Sequence, residues 1–170
     1  ELDLPAQLAK VEHARGIKAY KQGNYWAASD YFARNIKIFE EYGDSSSALI
    51  VYQSLASVLG QIKNFDKAVE ISKKALKIAA SRKDTLSMGY SLQVLVTDLI
   101  YGGRVNEASE YIDPLKKTAE TTIDQNLAPE SFSTLGTYYF REKKFSDALP
   151  FFQKALEKAT LFNEKYQIAN

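Results

Sequence analysis

A short turn, then a large apolar residue, then an alanine three residues later, recurs four times along this chain. The four copies read GNYWAA, KNFDKA, GRVNEA and KKFSDA, and they begin at Gly23, Lys63, Gly103 and Lys143. The period is therefore 40 residues, and it runs without insertion or deletion. A fixed period of this length indicates one structural unit repeated in a row, in which each unit buries its apolar face against its neighbours.

The last copy lies between two amphipathic segments. Apolar and small residues at the i, i+3, i+4, i+7 spacing of a helix are Phe132, Leu135, Gly136 and Tyr139 in the first, and Ala148, Phe151, Phe152, Ala155, Leu156 and Ala159 in the second. The polar stretch 141–144 separates them, so each unit is predicted to be a helical hairpin. The whole chain is predicted to be a single all-α domain with eight full helices and turns near 23–24, 63–64, 103–104 and 143–144. The four repeats are expected at about 6–43, 44–83, 84–123 and 124–163.

The spacing Phe132-x-x-Leu135-Gly136-x-x-Tyr139, followed by Ala148-x-x-x-Phe152, resembles the signature of the tetratricopeptide repeat. That resemblance implies a right-handed superhelical solenoid, in which the first helices of successive hairpins line a concave face. The period of 40 is longer than the common repeat of about 34 residues and resembles the extended repeats of bacterial signalling proteins. The clamp of Lys, Asn and Arg by which chaperone cochaperones of this family bind a carboxylate is absent.

Several local features carry their own predictions. Gly16 and Ala28 are expected to face each other where the first two helices cross, and Glu12 makes the first helix polar, as suits an exposed terminal repeat. Asn35 is read either as a hydrogen-bonded or partly exposed amide or as a ligand-facing group. Gly43 is predicted to stop the second helix, with Asp44 or Ser45 as the next N-cap.

The three later prolines also have predicted roles. Pro114 and Pro150 are expected to bend their helices, because each removes a backbone donor and crowds the preceding turn. Pro129 is well suited to opening a helix after the loose connection 123–129.

No constellation for chemistry is present in the sequence. His13 is the single histidine and cysteine is absent, which removes thiolate sites and paired-histidine metal sites. Phosphate-binding and nucleophile-elbow glycine motifs are missing too. The prediction is a non-catalytic protein with no cofactor or metal.

Charge and hydropathy narrow the partners further. A net charge of +1 gives no electrostatic reason for this domain to bind nucleic acid. No apolar run approaches the roughly 20 residues of a membrane span, so no membrane contact is expected. The sequence does not determine the cellular compartment, and the cytoplasm is favoured over the periplasm.

The expected binding surface is the concave groove of the first helices. Its predicted residues point neither at their own hairpin partner nor at the adjacent repeat. They are His13, Ile17, Tyr20, Lys21, Gln53, Ser57, Gln61, Gln93, Thr97, Tyr101, Ser133, Thr137 and Arg141. Amides, hydroxyls and tyrosine rings suit an extended peptide or protein segment, which favours a sensory or interaction module of a signalling or regulatory protein. The alternative is that polar first helices only keep a solenoid soluble.

The end of the chain suggests a second function, as an architectural spacer or self-association domain. Residues 161–170 resemble the end of one repeat helix followed by the start of another near Asn163 or Glu164, so the chain is expected to be a piece of a longer protein. The face formed by Phe151, Phe152, Ala155, Leu156 and Ala159 is expected either to associate with another molecule or to lie under this stub, which carries Tyr166 and Ile168.

Overall fold

The chain folds into helices joined by short turns. The computed structural model describes residues 4–42 and 45–168. Side-chain surroundings are described for all of these residues except 5, 45–47 and 163–168. No strand occurs among the described residues, which confirms the all-α prediction. The elements are α1 (Leu4–Lys21), α2 (Tyr25–Glu41), α3 (Ser45–Gln61), α4 (Phe65–Ser81), α5 (Thr85–Tyr101), α6 (Val105–Ala108), a 3₁₀ turn (Ser109–Tyr111), α7 (Ile112–Thr121), α8 (Leu127–Arg141) and α9 (Phe145–Ile168). The predicted stop at Gly43 and cap at Asp44 lie outside the described residues.

The four predicted hairpin turns are confirmed, and they share one backbone geometry. Gly23 and Gly103 have φ of 75° and 77°, while Lys63 and Lys143 hold the same left-handed conformation at 60° and 61°. In each turn this residue donates its N–H to the carbonyl three residues back, and the next N–H reaches the carbonyl five residues back. This is the Schellman motif, which satisfies carbonyls left open at a helix end. Lys83 forms a fifth copy between α4 and α5.

By its internal packing the chain divides into two compact units, Glu1–Val94 and Leu95–Asn170, with the boundary inside α5. In the first unit, α1 packs on α2, α2 on α3 and α3 on α4. Phe32 and Ile36 of α2 share one apolar core with Leu49 and Val51 of α3. The organisation of residues 1–170 as a single domain of four repeats stays a prediction.

The close crossing of α1 and α2 is built differently from the prediction. A Cβ added to Gly16 would lie 2.5 Å from the Phe32 ring, and the nearest side-chain neighbour is therefore Phe32 rather than Ala28. The second unit repeats this arrangement, because a Cβ on Gly136 would lie 2.8 Å from the ring of Phe152. Glycine in both places allows a phenylalanine ring to pack directly against a helix backbone.

The first helix is largely exposed, as expected, with Arg15 and Lys18 among its exposed residues. Two polar residues of the first hairpin, Glu12 and Asn35, are nevertheless buried, and the burial of Glu12 corrects its predicted exposure. The carboxylate of Glu12 accepts hydrogen bonds from Arg34 at 2.7 Å and from Arg15 at 3.2 Å, and its side chain is almost fully buried. The amide of Asn35 is completely buried and donates to the carbonyl of Ala9 at 2.9 Å. Asn35 is thus a hydrogen-bonded core amide, closed off from solvent rather than partly exposed.

In the second unit, α7 packs on α8 and α8 on α9. The helix expected to bend at Pro114 is instead interrupted, since α6 ends at Ala108 and a 3₁₀ turn precedes α7. Pro114 has no N–H for the carbonyl of Glu110, which lies inside that turn, and its ring crowds the same carbonyl. Pro150 lies within α9, whose helical assignment continues through it.

The helix that Pro129 was expected to open begins two residues earlier, at Leu127. The carboxylate of Asp124 accepts hydrogen bonds from the backbone N–H groups of Asn126 at 3.0 Å and Leu127 at 2.8 Å, and these contacts fix the start of α8. Pro129 still lies in the first turn, where its missing donor costs nothing.

The predicted break between a fourth-repeat helix and a terminal stub is wrong. Helix α9 continues from Phe145 to Ile168 without a turn. The last residues of α9 extend along its axis, so they do not fold back as a separate helix over its outer face.

Candidate interaction surfaces

The predicted groove residues are individually accessible, and none of them is buried. Exposed members are Ile17, Tyr20, Lys21, Gln61, Tyr101, Ser133 and Arg141, and half-buried members are His13, Gln53, Ser57, Gln93, Thr97 and Thr137. They belong to different compact units, with residues up to Gln93 in the first and those from Thr97 onward in the second.

In the first unit, aromatic residues border the first-helix surface. The Tyr20 and Tyr25 rings lie 5.5 Å apart in a tilted arrangement, and the His13 ring lies 5.7 Å from Phe32. Partial burial lowers the pKa of His13 below its usual value, because removal from water disfavours the imidazolium form. His13 therefore presents a neutral ring near neutral pH.

Two predicted groove residues do contact the adjacent repeat. The Gln53 amide on α3 donates to the Ser87 carbonyl at 2.9 Å and to the Ser91 hydroxyl at 3.1 Å, both on α5. In the second unit, the hydroxyls of Thr97 on α5 and Thr134 on α8 lie 3.1 Å apart. Both side chains thus bridge consecutive first helices, contrary to the expectation that they point at neither neighbour.

Tyr101 and Arg141, which occupy the same place in consecutive repeats, are brought together in the second unit. The guanidinium carbon of Arg141 lies 5.7 Å from the centroid of the Tyr101 ring, within the range of a cation–π contact. The Tyr101 side chain is 54% exposed. Among the described residues no carboxylate pairs with Arg141. This Tyr101–Arg141 pair can offer an aromatic face and charged donors to one ligand.

A stripe of large apolar side chains lies exposed along α9. The α9 stripe consists of Phe145, Leu149, Phe152 and Leu156, at i, i+4, i+7 and i+11, a spacing that places them on one face. Phe151, expected on that face, instead stacks on Tyr139 of α8 with ring centroids 5.3 Å apart. Phe145 and Leu149 are not among the residues predicted for this face, although their helical spacing could have identified them.

A second apolar stripe, on α1, was not expected. The α1 stripe consists of Leu4, Leu8 and Val11, which are all exposed and lie at i, i+4 and i+7. The sequence signal that could have found it is the period of 40, since Leu8 and Val11 align with Ala48 and Val51 of α3. Those two α3 residues are buried in the core of the first unit.

One buried carboxyl group stands apart from these surfaces. Asp98 on α5 is almost fully buried, and its Oδ2 has no hydrogen-bond partner among the described residues. Burial raises the pKa of Asp98 to about 7, because desolvation disfavours the charged carboxylate. Within the part of the chain that the structure describes, no group of three or more His, Cys, Asp or Glu residues could hold a metal ion, and no helix is long and apolar enough to cross a membrane.

Helical hairpins with accessible first-helix side chains define a class of repeat protein whose members generally act as protein-interaction scaffolds. Residues 7–81 match the tetratricopeptide repeat family. The predicted resemblance to the tetratricopeptide repeat family is therefore confirmed, and residues 7–81 are the part of the chain that carries the match.

Two solved structures share this fold. The crystal structure of BtubC (BKLC) from P. vanneervenii aligns over 96% of this chain and 67% of its own, with a TM-score of 0.78 and 17% identity. A Podosopora anserina putative kinesin light chain with nearly identical TPR-like repeats aligns over 94% of this chain and 76% of its own, with a TM-score of 0.68 and 19% identity. At these identities the likeness is one of fold. No curated protein matches the sequence.

Proposed function

We propose that this chain is a non-catalytic module that binds an extended peptide or protein segment on its first-helix surfaces, as the sensory or interaction part of a signalling or regulatory protein. The family supports the general role, since tetratricopeptide repeats typically bind protein partners. The signalling context rests on the period of 40 residues, which resembles that of extended repeats in bacterial signalling proteins. The binding surface rests on particular side chains.

The observation that carries the proposal is the exposed Tyr101–Arg141 pair. A tyrosine ring provides contact area at low entropic cost, and a guanidinium donates paired hydrogen bonds to carboxylates and carbonyls. Because the ring and the cation lie together, a peptide residue with an apolar or aromatic part next to an acidic group fits the pair. Ser133 and Thr137 lie on the same helix as Arg141, about two turns and one turn before it respectively, and add polar groups.

The first unit offers a comparable but less charged surface. Ile17, Tyr20 and Lys21 are exposed along α1, and Gln61 is exposed at the end of α3. Amide and hydroxyl groups on such helices can satisfy the backbone N–H and C=O groups of an extended segment. This supports a peptide ligand more than a small molecule, which usually requires an enclosed apolar cavity.

A displayed library of random peptides, selected on the wild-type chain, tests this proposal. Selected peptides should bind the Tyr101→Ala and Arg141→Gln variants at least about tenfold more weakly, as expected for loss of a central anchor. Tyr42→Ala and Arg82→Gln are matched controls, since these exposed residues lie at the ends of α2 and α4. Circular dichroism should show that all four variants remain folded. Binding that survives both changes in the pair would contradict a peptide site at this place.

A second candidate function is self-association, and the α9 stripe favours it. Contiguous exposed apolar side chains on a folded protein commonly mark a contact with another molecule. Because α9 runs straight through to Ile168, the described part of the chain contains no separate terminal helix that could cover the stripe.

A further inference from the structure

The packing of α2 against α3 indicates what kind of element covers the stripe on a second helix. Phe32 and Ile36 of α2 are the equivalents of Phe152 and Leu156 of α9, because each pair is separated by three periods of 40 residues. Within the first unit they are only 2% and 6% exposed, since the Phe32 ring packs on Gly16 of α1 and both residues share a core with Leu49 and Val51 of α3. The cover is therefore the first helix of a following hairpin.

On α9 the side chains at the equivalent positions are exposed to solvent. Phe152 is 37% exposed and Leu156 is 70% exposed. The stripe continues at Phe145 and Leu149, which are also exposed. The side chains therefore retain the apolar character of a helix–helix interface, while no helix among the described residues covers them.

The complementary half of this interface is exposed on α1. Ala48 and Val51 of α3 are 1% and 2% exposed in the shared core with α2. Their equivalents on α1 are Leu8 and Val11, which are 49% and 45% exposed. Helix α1 thus presents the surface that α3 uses to cover α2, and that surface is apolar.

We propose that copies of this chain stack head to tail, with the α1 stripe of one copy packed on the α9 stripe of the next in the register of α2 and α3. This inference rests on the second candidate function and is independent of the peptide surface. The two halves of the contact lie on different helices, so the interface is heterologous. A heterologous interface continues beyond a dimer unless it closes into a ring.

The stack should be weak and dependent on concentration. Arg15 and Lys18 of α1 stand where α3 has the buried residues Leu55 and Val58, so this face of α1 is apolar only in its first half. A contact between two stripes of three and four side chains is near or below the lower limit of roughly 1,200 Å² for specific stable interfaces. Association is therefore expected in the micromolar to millimolar range.

Analytical ultracentrifugation of the full 170-residue chain and three variants tests the stack. Leu156→Glu disrupts the α9 stripe and Leu8→Glu the α1 stripe. Leu161→Glu is the matched control, because this exposed leucine lies on α9 but away from the stripe. Circular dichroism melts establish that each variant folds.

The wild type and Leu161→Glu should grow beyond a dimer as concentration rises, whereas Leu156→Glu and Leu8→Glu should each remain monomeric. An equimolar mixture of these two monomeric variants should form a dimer, because the first retains its α1 stripe and the second its α9 stripe. This rescue is specific to a heterologous contact.

Three results would overturn the stack. If Leu8→Glu associates as the wild type does while Leu156→Glu does not, the α9 stripe pairs with itself. A wild type that stays monomeric throughout the concentration range means that another protein or a further helix covers the stripe. If the mixture of the two variants stays monomeric, the two stripes do not form one interface. None of these results depends on whether peptides bind at Tyr101.

Discussion

The ring of Phe32 occupies the space where a side chain on residue 16 would begin, with its nearest carbon 2.5 Å from the position of a Cβ on Gly16. Gly136 and Phe152 repeat this relationship in the fourth hairpin. The second and third hairpins have Ala56 and Val96 at the glycine position, and Ser72 and Ile112 at the phenylalanine position. Large rings occur only where the opposing residue is glycine, so the two positions compensate each other in volume.

Gly16→Ala should destabilise the chain more than Gly136→Ala. Phe32 is 2% exposed and has no room to move, whereas Phe152 is partly open to solvent and its ring can shift outward. We expect Gly16→Ala to cost about 1–3 kcal/mol, as overpacked cores do. Gly136→Ala should cost less, because the Phe152 ring can shift outward. The helix propensity of alanine offsets up to about 1 kcal/mol in both variants. Urea unfolding measures both values.

The double variant Gly16→Ala with Phe32→Leu provides the control for this prediction. If the steric contact is the cause, the added methyl group should cost less beside leucine than beside phenylalanine. Equal costs in the two backgrounds would show that the ring of Phe32 is not what excludes a side chain at position 16.

Substitutions at the left-handed residues of equivalent turns should change the stability of the chain in opposite directions. Gly103→Ala should destabilise by about 1 kcal/mol, since a Cβ is unfavourable in this conformation although it would meet no atom within 4 Å. Lys143→Gly should instead stabilise by roughly 0.5–1 kcal/mol, because relief of strain outweighs the added entropy of the unfolded chain.

Thermal melts of these two variants, with Lys144→Gly as the neighbouring control, check the turn prediction. Lys144 does not have positive φ, so glycine there should only destabilise. If Lys143→Gly lowers the melting temperature as much as Lys144→Gly does, strain at position 143 is negligible.

Asp98→Asn should remove a dependence of stability on pH. The pKa of Asp98 is about 7 in the folded chain against an ordinary value of 3.8. At a pH below the ordinary value of 3.8, the Asp98 carboxyl group is protonated in both the folded and the unfolded chain. As pH rises towards 7, the unfolded chain loses this proton first, so the folded state loses stability, by at most about 4 kcal/mol. Well above pH 7 the carboxyl group is ionised in both states, so the loss of folding stability no longer changes with pH.

The advantage of Asp98→Asn over the wild type should therefore grow from about pH 5 to about pH 8. Urea unfolding at both pH values measures it, and Asp113→Asn is the control because Asp113 is exposed on α7. An advantage that is the same at both pH values would show that Asp98 does not titrate in this range.

The buried carboxylate of Glu12 predicts an order of stabilities rather than a single value. Removing Arg34 leaves Glu12 with only Arg15, so Arg34→Ala should destabilise more than Lys37→Ala, a change at an exposed lysine on the same helix. Glu12→Leu should be neutral or stabilising, because leucine occupies the equivalent position 92 and an apolar replacement removes the cost of burying charge. Thermal melts rank the four chains, and a strongly destabilised Glu12→Leu would refute this account.

Much of the local structure follows from the sequence alone. The 40-residue period and the turn motifs located the four hairpin turns, since a helix end with glycine or a polar turn is a local property. The same pattern pointed to the all-α fold and to the repeat family. It also identified Tyr101 and Arg141 as accessible side chains, because their spacing places them away from the apolar stripe of their helices.

Tertiary structure decided which polar and apolar side chains meet a partner. Glu12 breaks the apolar pattern of α1, yet it is buried because Arg34 from α2 and Arg15 from α1 neutralise it. The sequence pattern predicts Gln53 as a surface amide, but Ser87 and Ser91 lie within its reach only after α3 and α5 are placed side by side. The exposure of the α1 and α9 stripes likewise depends on which helices have neighbours. A sequence pattern gives the chemical character of a helix face, whereas burial of that face depends on what the rest of the fold places against it.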